Sequence, residues 1–104
     1  MTEYQKMGEK NAAIRGYIMR LLIKGARHCM PARRISNMLQ RDGYTEDADI
    51  STHLAFLHEL EFIQFTRSNI SPYNAYSMDG VVSLTTKGIR FIERGGNPDV
   101  GIDL

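Results

Sequence analysis

The sequence predicts an α+β fold that is mainly α: three helices, a small antiparallel β region and a short C-terminal helix. Three observations carry that expectation. Apolar residues recur at helical spacing in three segments of the first sixty residues. Strand-forming runs then flank an Asp-Gly pair, and a last helix-period segment follows Thr85 and Thr86. With 104 residues, 42% of them hydrophobic, the chain has material for one modest core. Residues 1–94 are expected to form a single domain and residues 95–104 a flexible tail.

The first helix is expected to begin at Asn11, whose side chain suits an N-cap, and to bury Ile14, Ile18, Leu21 and Leu22 along one stripe. Arg15 and Arg20 fall off that stripe, toward water or a partner. Gly16 costs about 0.5–1 kcal/mol in a helix relative to alanine, so its presence suggests a close approach by another helix. Gly25 is expected to end the helix at the left-handed position.

Pro31 suits the first turn of a second helix, with Ile35, Met38 and Leu39 facing inward and Arg33, Ser36, Asn37 and Gln40 facing out. Gly43 closes it. Asp47 or Asp49 is placed to cap a third helix, in which Ile50, Leu54 and Leu57 share one stripe and Ser51, Thr52, Ala55 and Glu59 lie on the opposite side. Phe56 also leaves the stripe and calls for a partner, most simply by packing. Residues 62–66 read as a strand, residues 67–74 as a loop, and Ala75-Tyr76-Ser77-Met78 as a strand-forming run that leads through an Asp79-Gly80 hairpin to Val81-Val82-Ser83-Leu84, a pattern that fits a sheet of either two or three strands. Thr85 or Thr86 then caps a final helix carrying Ile89, Phe91 and Ile92.

The net charge of +1 conceals a strong asymmetry. Residues 6–41 hold nine Lys and Arg against Glu9 alone, whereas residues 42–61 hold six acids and no Lys or Arg. A basic half of this kind suits phosphate, and it equally suits an acidic face of the same fold or of a second subunit. No apolar run approaches the length of a membrane span and the N-terminal residues are polar, so a cytosolic protein is expected. Cys29 is the single cysteine and reads as a small hydrophobe with no disulfide partner.

Ile50, Leu54, Leu57 and Phe62-Ile63, followed by Leu84-Thr85-Thr86-Lys87-Gly88-Ile89, form a pattern that resembles winged helix-turn-helix regulators. In that family a recognition helix precedes a β wing closed by a Leu-Thr-x-x-Gly turn. The Leu54-Ala55-Phe56-Leu57 core and the Gly-Gly-Asn-Pro-Asp-Val-Gly stretch also look like small winged-helix proteins of Mu-like phages and prophages. The resemblance implies a winged helix, sequence-specific binding to double-stranded DNA in a transcription-regulator-like or phage accessory role, and a homodimer. Glu61 stands where many such proteins carry glycine.

On that reading Ser51, Thr52 and Ala55 face the major groove, and Arg33, Arg34, Asn37 and Arg41 lie along the backbone with Arg67 and Lys87 of the wing. Tyr73 and Tyr76 are expected to be packing residues. The alternative is a protein-interaction module on the same scaffold, because the third helix carries no Lys or Arg. No enzyme, cofactor or metal site is expected. His53 and His58 diverge around a helix, His28-Cys29 are adjacent, and the paired carboxylates lack a nucleophile or phosphate loop.

Overall fold

Helix α1 (Glu3–Lys24) starts at Glu3, not Asn11, because Thr2 and Gln5 form a reciprocal capping box across its first turn. Residues 2–10 are exposed, and the buried stripe of Ile14, Ile18, Met19 and Leu22 begins only after them. The missed signal was the Thr-x-x-Gln spacing itself. The structure, a computed structural model, describes residues 2–104.

Among those residues the fold is α+β and mainly helical, with a three-stranded antiparallel sheet. After α1 come strand β1 (Cys29–Pro31), helices α2 (Ala32–Arg41) and α3 (Ser51–Glu59), strands β2 (Ile63–Phe65) and β3 (Val81–Leu84), and helix α4 (Thr86–Glu93). The sheet order is β1-β3-β2, with Met30 and Phe65 both opposite Val82 and Ile63 opposite Leu84. Strand β1 was not expected from sequence; Pro31 closes it on an edge, where its missing N–H costs no ladder bond, and precedes α2 instead of opening it.

Gly25 does end α1, but in extended backbone at φ −72°. The left-handed residues are Arg27 and His28, at φ 57° and 56°. What Gly25 supplies is room, since a β-carbon there would lie 2.9 Å from the Cys29 carbonyl oxygen. Gly43 closes α2 as expected, and it does so in left-handed backbone at φ 79°.

Gly43 N–H donates to the Gln40 carbonyl and Tyr44 N–H to the Leu39 carbonyl, and helix α3 ends with the same hydrogen-bond pattern. Glu61 N–H donates to the His58 carbonyl and Phe62 N–H to the Leu57 carbonyl, with Glu61 left-handed at φ 63°. The backbone demand that glycine meets elsewhere is therefore present, and a glutamate meets it here. Phe62 then stacks on Phe91 of α4 at 4.5 Å. Thr85 caps α4 through the Gly88 N–H, and Gly88 itself sits so close to the Phe62 carbonyl that a β-carbon would overlap it.

Two expectations about the second half are corrected. Ala75-Tyr76-Ser77-Met78 is a run of turns, not a strand, so Asp79-Gly80 is no two-residue hairpin; residues 66–80 form one long β2–β3 connection. Ile70 and Ala75 are buried and anchor it to the core. The residues beyond Gly95, expected as a mobile tail, fold back on α1. Asp103 N–H donates to the Ala12 carbonyl, Ile102 is 1% exposed, and Arg15 and Arg20 donate to the Gly101 and Asp103 carbonyls. Gly16 marks the approach of this segment, not of a helix. Arg15 and Arg20, both half-buried, hold this segment through its backbone carbonyls.

Candidate nucleic-acid interface

Leu54 and Leu57 are buried at 1% and 0% exposure, which fixes the opposite side of α3 toward solvent. Thr52 and Glu59 are exposed there, and Ser51 and Ala55 are half-buried. Ahead of the helix, Asp47 accepts from the Asp49 N–H and Asp49 from the Ser51 N–H, so successive Asx turns lead the chain into α3. Asp49 thus serves the helix start as expected, although Ile50 occupies the formal cap. Hydrogen bonds from Ser51, side chain first and backbone second, hold the Asp49 carboxyl below the usual carboxylate range.

Helix α2 is tied to this entry by Ser36. It was expected on the outer face, yet it is fully buried and its hydroxyl donates to the Ala48 carbonyl at 2.7 Å. A serine on the inner side of an amphipathic helix is tolerated because this bond satisfies it. Arg33, Arg34 and Asn37 remain on the exposed side of α2.

Arg33 is already engaged. Its Nε donates to the Tyr76 carbonyl at 2.7 Å, its Nη1 lies 3.3 Å from Asp79 Oδ1, and its guanidinium sits 5.3 Å from the Tyr76 ring centre. Arg67 donates to the Met78 carbonyl at 2.7 Å. Two guanidinium groups from distant parts of the chain therefore converge on residues 76–79. Tyr73, Tyr76 and Ser77 of the same connection share a groove of about 550 Å³ with Asp47, Ala48, Asp49 and Ser51, and neither arginine lines it.

The two tyrosines correct the sequence expectation. Tyr73 is 74% exposed and Tyr76 41% exposed, so neither is a core residue. The remaining expected residues lie elsewhere. Arg41 is paired with Asp42 at 3.2 Å, and Lys87 is 3.8 Å from Glu61. Both pairs are exposed and therefore weak. Asp42 also accepts from the Tyr17 hydroxyl, whose pKa is pushed up to about 12 by burial first and by this bond second.

Behind α3, Phe56 finds its partner inside the chain: the Arg15 guanidinium lies 3.6 Å from its ring centre. His53 is next to this pair, and its Nδ1 and the Arg15 Nε are buried without hydrogen-bond partners among the described residues. Burial, and secondarily the Arg15 charge, depress the His53 pKa below 6.5. The unfolded chain then takes up a proton at a pH where the folded chain does not, so stability is lost as pH falls through about 6.5 toward the folded value. His53→Gln should remove that loss. The check is the difference in melting temperature between pH 7.5 and 5.5, which should be smaller in the variant than in the parent protein.

Among the described residues no helix is long and apolar enough to cross a membrane, and no cluster of three or more His, Cys, Asp or Glu is placed to hold a metal ion. No protein-family model matches the chain, and no curated protein or solved structure matches it.

Proposed function

We propose that the chain is a winged-helix protein, similar to small winged-helix regulators and phage accessory proteins, that binds double-stranded DNA sequence-specifically as a homodimer. Helix α3 enters the major groove with Ser51, Thr52 and Ala55, while α2 and the β2–β3 connection, acting as the wing, contact the backbone. The element order and the β1-β3-β2 sheet support this reading. The observation that carries it is the convergence of Arg33 and Arg67 on residues 76–79, of which Tyr76 and Ser77 share a groove with Ser51 at the start of α3, with Arg34 exposed on the same helix as Arg33. The Arg33–Asp79 pair is exposed, so exchanging it for a phosphate contact costs little.

Fluorescence anisotropy on random-sequence duplex DNA across a salt series tests the proposal. Affinity should fall steeply with salt, and Arg34→Ala should flatten the slope of log K against log salt by about one unit, the share of one phosphate contact. Arg33→Ala should do the same while also loosening the connection. An unchanged slope in Arg34→Ala removes that residue from the interface.

A second reading is favoured by the acidity around α3. Asp47 and Asp49 wall the groove and Glu59 is exposed further along, and Tyr73 stands out at 74% exposure, a surface that suits a basic protein partner better than phosphate. No binding to duplex DNA even at low salt would transfer the proposal to that interaction module.

A further inference from the structure

With no lining residue in common with the α3 groove, α4, Phe62 and the segment running from Gly96 to Val100 border a cleft of about 680 Å³. Its walls include Phe62, Phe91 and Val100, and its rim carries Lys87, Arg90 and Arg94. Those three cations lie along one face of α4 and its C-terminal edge, spaced so that each is near the next. Glu61 pairs with Lys87, while Arg90 and Arg94 have no carboxylate within 4.0 Å among the described residues. Stacked aromatic rings and guanidinium groups without a carboxylate partner line one cleft and give it two demands at once: an apolar body to cover the rings and one anionic group to meet the fork of an arginine.

We propose that this cleft binds a small amphipathic anion, an aryl or alkyl group bearing one carboxylate or sulfonate. The volume lies within the range of small-molecule sites, and the exposed lining is mainly apolar with a few polar groups, as such sites require. The concavity distinguishes it from a phosphate-tracking surface, which needs the charges but not the ring-lined floor. The site is separate from the α3 groove and does not depend on DNA binding.

The test is a titration of the full chain with 8-anilinonaphthalene-1-sulfonate at low ionic strength, followed by fluorescence. One saturable site per chain is expected, displaced by 1-naphthoate and not by its neutral relative 1-naphthalenemethanol. Arg90→Gln with Arg94→Gln should weaken binding tenfold or more while leaving the melting temperature unchanged, since both side chains are exposed. Absence of saturable binding overturns the proposal. So does equal displacement by inorganic sulfate, which would mean that the charges act without the floor. So does a fall in solution mass from dimer to monomer in the double variant without any change in dye binding, which would assign the arginines to a second copy of the chain.

Discussion

Gly16→Ala is expected to destabilise the protein by about 2–4 kcal/mol, against the usual direction of a glycine-to-alanine change in a helix. In open helix the substitution gains about 0.5–1 kcal/mol. At Gly16 the new β-carbon would occupy the position of the Asp103 carbonyl oxygen, which is backbone and cannot rotate away. The segment must lift from α1, breaking the Asp103 N–H bond to the Ala12 carbonyl and exposing Ile102. Burial of one isoleucine side chain is worth about 1.5–3 kcal/mol, and forced overpacking costs about 1–3 kcal/mol. Gly8 provides the control within the same helix, because a β-carbon there meets nothing within 4 Å. Gly8→Ala should raise the midpoint of urea unfolding and Gly16→Ala should lower it. Equal shifts of the same sign would show that residues 101–104 do not hold α1 in solution.

Leu57→Ala should cost about 2–5 kcal/mol, the range for removing a large aliphatic side chain from a packed core. Leu57 is 0% exposed, and its carbonyl receives the Phe62 N–H that turns the chain from α3 into β2. The cavity therefore opens where α3 is fixed relative to the sheet. Leu54→Ala, at 1% exposure, should fall in the same range. Tyr73→Ala, on the surface of the β2–β3 connection, should stay within about 0.5 kcal/mol. Chemical denaturation of the three variants decides the matter. A Leu57 variant as stable as the Tyr73 variant would refute the packing of α3.

Much of the helical framework is legible in the order of the residues. The Ile14, Ile18 and Leu22 stripe, the Leu54 and Leu57 pair, the Thr85 cap and the left-handed Gly43 all follow from periodicity and local backbone chemistry, and all are present. These features are local: the residues that determine them lie within a turn or two of one another. The candidate interface was legible only as a set of residue types. Arg33 and Arg67 are 34 positions apart, and that both meet residues 76–79 depends on how the β2–β3 connection folds over α2.

The sequence by itself determined that the chain holds four helical segments, which apolar residues form the main stripes of α1 and α3, and that a basic stretch over residues 6–41 is followed by an acidic one over residues 42–61. Only the tertiary structure decided that a three-residue edge strand joins the sheet, that Ser36 is buried, that residues 75–78 are turns, and that the C-terminal segment seals α1. The physical reason is the same in each case. A short strand, a buried hydroxyl and a docked segment have little preference of their own, and each is stabilised by a partner distant in sequence: Val82 for Met30, the Ala48 carbonyl for Ser36, and the space left by Gly16 for Asp103.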